Sequence, residues 1–226
     1  MKSEILLLKE AVSKGRYDYY HLLSGQDLPI KPQDVIHSFF DDNQGHEFVS
    51  FWKDADGIVN NRCHLMCLFP EGESKFYIHW INSLGKKFQR FFRISINKGI
   101  KIKYGANWFS ITDRLARYVI EQEKQLTDIF GKSNNCDEHF LQTLVWHSEF
   151  SDSVYDSTER VAASSGSSYM RHVDWNRSRN KRHPWVFVND DFEQLMSSPF
   201  FWARKFDENV DSEIIDRIYN HLKPER

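Results

Sequence analysis

Residues 17–31 read Y-D-Y-Y-H-L-L-S-G-Q-D-L-P-I-K. The aromatic and aliphatic run over 17–23 is long enough for one buried strand. It ends in Ser24-Gly25, and Asp27 follows just before Pro29, whose missing N–H stops regular pairing. The pattern predicts a strand that delivers a carboxylate to the edge of a sheet. In open α/β sheets ligands bind beyond the carboxyl ends of the strands, which makes this a place for a substrate pocket. The same residues also read as a buried strand and a tight turn, with Asp27 as its cap.

Upstream, residues 3–14 carry Ile5, Leu8 and Val12 on one face of an amphipathic helix. Downstream, Pro32 suits the first turn of a helix running to about Phe40, and residues 46–52 read as a strand. Asp54-Ala55-Asp56-Gly57 follows, with two readings: a D-x-D pair that grips a divalent cation and a diphosphate, or ordinary turn chemistry. Cys63, His64 and Cys67 lack a second ligand pair at zinc-like spacing and read as buried residues of a reduced protein. Residues 74–93 place Phe76, Trp80, Leu84, Phe88, Phe91 and Phe92 at near-helical spacing among Lys86, Lys87, Arg90 and Arg93. That predicts an amphipathic helix whose basic face is solvated; a nucleic-acid or anionic membrane surface is the competing reading.

Gly105-Ala106-Asn107-Trp108-Phe109-Ser110-Ile111 reads as a strand feeding a helix over 112–130 that Gly131 closes. A polar loop then brings Asp137-Glu138-His139 to the next helix start. Two carboxylates there can be caps on a helix dipole, or one can be a general base that accepts a proton from a sugar hydroxyl. Residues 151–168 read as a loop, 170–175 as a strand, 176–184 as a basic loop and 185–188 as a short strand. Helices over 189–197 and 212–222 complete the pattern. The cations at 177–182 are either a solvated loop or, with Lys205, a diphosphate clamp made of charge-assisted hydrogen bonds.

With 226 residues the chain can bury a full core. Thirty Lys and Arg against 32 Asp and Glu leave a net charge of −2, which excludes a general polyanion binder and speaks against nucleic acid. The three cysteines do not form a disulfide framework, so a reducing, cytoplasmic setting is expected. No apolar run approaches the roughly 20 residues of a spanning helix, so no transmembrane segment is expected, and any membrane association would be peripheral, at its inner face.

The run from Tyr19 to Ile30 resembles the central motif of the core-2/I-branching β-1,6-N-acetylglucosaminyltransferase family, which also takes in the peptide O-xylosyltransferases. The G-A-N-W-F-S-I, D-E-H-F-L-Q-T, R-H-V-D-W, H-P-W-V-F and A-R-K-F-D stretches occur in the family's order, closest to its short bacterial members. The resemblance implies an α/β GT-A type fold, a Rossmann-like mixed sheet flanked by helices. It makes residues 1–226 a single glycosyltransferase domain, the C-terminal two-thirds to three-quarters of the family domain, with the N-terminal βα units truncated.

It further implies an inverting enzyme that moves N-acetylglucosamine, or less favourably xylose, from a UDP-sugar to a glycan or lipid-linked oligosaccharide acceptor, without cofactor or metal. Glu138 matches the general base. Arg182 and Lys205 match the pair that holds the diphosphate, and Asp27 sits at the family's strand-end aspartate on the donor side. Trp175 and Trp108 would shape the sugar pocket, and Glu47 lies near the acceptor-binding glutamate. The segment between Trp175 and Arg182 is shorter than in the animal enzymes. With part of the nucleotide pocket upstream of Met1, the alternative is an inactive remnant that binds glycan or protein.

Overall fold

The computed structural model describes residues 1–53, 55–70, 75–158, 167–178 and 183–223. Two three-stranded sheets are flanked by helices, a mixed α/β arrangement consistent with a GT-A-like glycosyltransferase fold. Tyr19–His21 forms β1 and Asp27–Pro29 forms β2, and the two strands belong to different sheets. In the first sheet β1 lies antiparallel to β4 (Phe109–Thr112), with Tyr20 opposite Ile111; β3 (Phe48–Val49) pairs antiparallel on the other side of β4. In the second, β2 lies antiparallel to β6 (Trp202–Arg204), which runs parallel to β5 (Arg171–Val173).

Residues 22–26 are therefore the link between two sheets, not a turn that ends one. Asp27 opens β2 instead of trailing a strand. Pro29 does not stop the pairing, because β2 is an edge strand where a missing N–H need not break the ladder. The next residue, Ile30, donates its N–H to the Phe201 carbonyl at 2.8 Å.

α1 (Lys2–Lys14) sets Ile5 and Leu8 against Leu115 and Val119 of α5 (Asp113–Glu121) in the largest core cluster. Burying each such side chain contributes about 1.5–3 kcal/mol. Thr112 caps α5 by accepting the Leu115 N–H at 3.2 Å. The expected helix over 112–130 is broken at Gln122, where ψ swings to 5°, and resumes as α6 (Glu123–Phe130). α2 (Gln33–Asp42) inserts Ile36 and Phe40 beside Phe48, Phe201 and Trp202, so aromatic rings fill the wedge between the sheets. His21 joins them, 4.9 Å from the Trp202 ring. α7 (Phe140–Trp146) is almost wholly buried.

The second sheet is covered by α8 (Phe192–Met196) and α9 (Glu213–Leu222), whose Ile214 and Ile218 share a cluster with Ile30 and Phe187. Residues 185–188 do not form the expected strand. They run extended, with Trp185 bonded to the Asp174 carbonyl at 2.8 Å and Phe187 to that of Lys205 at 2.9 Å. After the short α3 (Asp56–Val59), the expected amphipathic helix is present as α4 (Phe76–Phe91), but its aromatic side faces solvent. Among the described residues no helix is long and apolar enough to cross a membrane.

Candidate active site

Asn135 adopts a left-handed conformation (φ 47°) and turns the chain into the single 3-10 turn Cys136–Glu138. The backbone of Glu138 is fixed from across the fold: its carbonyl accepts the Gly105 N–H at 3.0 Å. Only glycine fits at 105, since a Cβ would lie 2.0 Å from the Ser50 carbonyl oxygen. Ser50 Oγ accepts the Ala106 N–H at 2.8 Å, and Gln142 Nε2 donates to the Ala106 carbonyl at 2.6 Å. The G-A-N-W stretch is thus pinned between the exit of β3 and α7, and it carries Trp108 to the same place as Glu138.

Glu138, Trp108 and Trp175 line one hollow of about 210 Å³, together with Trp52, Asn107 and Arg204. The Glu138 carboxylate pairs with Arg62 and accepts a hydrogen bond from the Tyr104 hydroxyl. Burial pushes its pKa up, against the opposing charge of Arg62. A carboxylate made more basic at a cavity wall is suited to accept a proton from a hydroxyl. Arg62 in turn lies over the Tyr104 ring at 5.6 Å, and Trp52 meets that ring edge-on at 4.8 Å.

On the other wall, the Trp108 ring has the Arg171 guanidinium 4.4 Å and the Arg204 guanidinium 4.2 Å from its centre. Both cations reach toward Asp27, at 3.8 Å and 3.6 Å. Asp27 also accepts the Ser24 N–H at 2.7 Å. Its carboxylate is buried behind the wall and does not line the hollow. Burial lowers Arg171 to about 10 and lowers Arg204 too, with Asp27 opposing both. Arg204 Nη1 is buried on the Asp27 side and makes no hydrogen bond there, while the residue itself lines the hollow.

Lys205 follows directly. It is half-buried, with its backbone held by Trp185 and Phe187, and its ammonium has no hydrogen bond or ion pair among the described residues. Arg182 lies outside the described residues, as do Asp54 of the D-x-D pair and the other cations at 179–181. Arg177 is committed internally, 2.6 Å from both Asp174 and Asp191 and stacked on Trp185 at 5.0 Å. It braces the exit of β5, from which Trp175 projects.

Glu47 sits elsewhere. Its carboxylate is buried at the end of the first sheet and accepts the Thr112 N–H at 2.9 Å and hydroxyl at 2.6 Å. It lines a second hollow of about 220 Å³ with Tyr19, Asp113 and Arg114. Burial drives its pKa up to about 7. Cys63 and Cys67 are buried thiols, and burial pushes Cys63 up to about 12.

Sequence reading missed Arg62, Tyr104 and Arg204. Arg204 was within reach, as the cation beside Lys205 in A-R-K-F-D. Tyr104 ends an alternating lysine run, and Arg62 stands in a stretch read only for its cysteines; neither residue type signals contact with a carboxylate distant in sequence.

The pattern of the Core-2/I-Branching enzyme family matches residues 1–196. Over 217 residues the chain is 26% identical to "Xylosyltransferase 2" of Rattus norvegicus, covering 91% of this chain and 23% of the rat protein. It is 26% identical over 214 residues to "Xylosyltransferase sqv-6" of Caenorhabditis briggsae, covering 88% of this chain and 25% of the relative. The chain spans about a quarter of the length of these curated relatives. With the family pattern covering most of its length, this chain belongs to the core-2/I-branching enzyme family of glycosyltransferases.

Proposed function

We propose that the chain is the transfer domain of an inverting, metal-independent glycosyltransferase that uses a UDP-sugar. The observation that carries this reading is one hollow lined by Glu138, with raised pKa, together with Trp108, Trp175 and the cation Arg204. An acceptor hydroxyl placed against Glu138 loses its proton to the carboxylate as its oxygen attacks the anomeric carbon. The bond from that carbon to the UDP phosphate oxygen breaks on the opposite face. The leaving diphosphate gains negative charge, and its neutralisation is assigned to Lys205, Arg182 and Arg204. Asp27 acts through the two arginines it holds, as a positioning residue. Trp108 and Trp175 offer apolar ring faces to the sugars. Glu47 enters only as an acceptor contact reached from the second hollow.

The activity named for the relatives supports xylose ahead of N-acetylglucosamine as the transferred sugar. The acceptor class is a glycan or a lipid-linked oligosaccharide. Glu138→Gln keeps the size of the side chain and removes its basicity. It is expected to bind UDP as the wild type does and to lose transfer by about 10²–10⁴-fold, the range of general-base catalysis. Transfer at the wild-type rate would remove Glu138 from the reaction; donor binding without turnover in the wild type would favour a binding module.

A further inference from the structure

Helix α4 is turned the wrong way for a core helix. The side chains it buries are polar: Asn82 exchanges two hydrogen bonds with the Phe69 backbone (3.0 and 2.9 Å), and Gln89 exchanges two with Met66 (2.8 and 2.9 Å). Gly85 lets the helix come close on that side, since a Cβ there would already be 3.1 Å from Leu68. Facing away are Tyr77, Trp80, Ile81, Leu84, Phe88 and Phe91, at i, i+3, i+4, i+7, i+11 and i+14, one continuous stripe along the helix. Trp80 and Phe88 are each 58% exposed and Phe91 is 81% exposed. So large an aromatic strip left in water marks a surface that is covered in use.

The charge around the strip says by what. From Lys75 to Lys103 there are eight Lys and Arg and no Asp or Glu, whereas the rest of the chain has 22 cations against 32 carboxylates. Lys87, Arg90 and Arg93 are exposed beside the stripe. A second copy of the chain docked here would set this basic segment against itself across a two-fold axis. A nucleic acid is disfavoured by Ile81 and Leu84, which interrupt the aromatics in mid-stripe and offer bases no stacking face, and by the chain's net charge of −2. Anionic lipid satisfies both features, taking the aromatic stripe at the acyl boundary and the cations among its headgroups. We propose that α4 is an interfacial helix that docks this protein on anionic bilayers, independently of the sugar transfer.

The test is co-sedimentation of the 226-residue chain with large vesicles of phosphatidylcholine, or of equal parts phosphatidylcholine and phosphatidylglycerol. Two variants run beside it: Trp80→Ser/Phe88→Ser/Phe91→Ser, which removes the stripe, and Lys87→Glu/Arg90→Glu, which leaves the stripe and reverses its rim. Every changed position is exposed, and the second variant controls for fraying of the helix in the first. The expected result is a monomeric chain bound roughly tenfold or more better to the anionic vesicles, with that excess lost in both variants. Failure to bind anionic vesicles, or binding undiminished in both variants, would overturn the proposal. So would a dimer in light scattering that the serine variant dissolves, since the strip would then belong to a second copy.

Discussion

At Asp27 one buried carboxylate serves the buried Arg171 and the partly buried Arg204, and neither arginine has a second acidic partner among the described residues. Removing that charge strands Arg171 in a low-dielectric interior and leaves the partly buried Arg204 without its acidic partner. Asp27→Asn is therefore expected to cost about 3–5 kcal/mol in urea unfolding, the range seen when one partner of a buried pair is deleted. An unchanged midpoint would mean that the arginines do not depend on it. At Glu138 burial raises the pKa, and a general base works only when ionised, so transfer should fall as pH drops through that raised value. The Glu138→Gln comparison isolates this limb, because glutamine does not titrate. Glu138 and both tryptophans were legible because each sits in a distinctive short motif. The position of Asp27 was not: the sequence shows a carboxylate beside a turn, but which side of the sheet it occupies follows from Arg171 and Arg204, more than 140 residues away.

The stretch over 105–108 holds Glu138 and Trp108 together through backbone contacts that leave no space for a side chain at Gly105. Gly105→Ala must push back the Ser50 carbonyl, which is backbone and cannot rotate aside. It is expected to destabilise the fold by about 1–3 kcal/mol and to weaken donor binding together with it. Wild-type stability in this variant would show that the 50–52 segment yields. Helices were legible as periodic segments, and α1, α5 and α9 lie with their apolar faces inward as their patterns require. The facing of α4 was not legible, because a period fixes that two faces exist and not which one the protein covers. Side-chain amides of Asn82 and Gln89 settle it by satisfying backbone groups of residues 66–69, a pairing without sequence periodicity. The division of residues 19–29 between two sheets was equally hidden, since five linking residues look the same whether the chain turns back or crosses over.

Taken together, the fold stores an unfavourable charge at Glu47, whose pKa rises from 4.5 to about 7 on burial. The unfolded chain releases that proton first, so the stability tied to neutral Glu47 is complete below its ordinary value and is lost as pH rises through about 7. Glu47→Gln should thus gain on the wild type by about 2–3 kcal/mol more at pH 8 than at pH 5, measured by urea unfolding at each pH. A difference independent of pH would mean that Glu47 stays ionised when folded. The α/β class and the family were legible from ordered motifs, whereas the meeting of Arg62 and Tyr104 with Glu138 required the fold. The most direct measurement is calorimetric titration of UDP-xylose and UDP-N-acetylglucosamine, with EDTA present, into the chain and its Arg182→Ala, Arg204→Ala and Lys205→Ala variants. Donor binding is expected to survive EDTA and to weaken by about tenfold or more in each variant, as loss of a charge-assisted hydrogen bond requires. A folded chain that binds neither donor, or binds equally well without these cations, would contradict a donor site at this hollow.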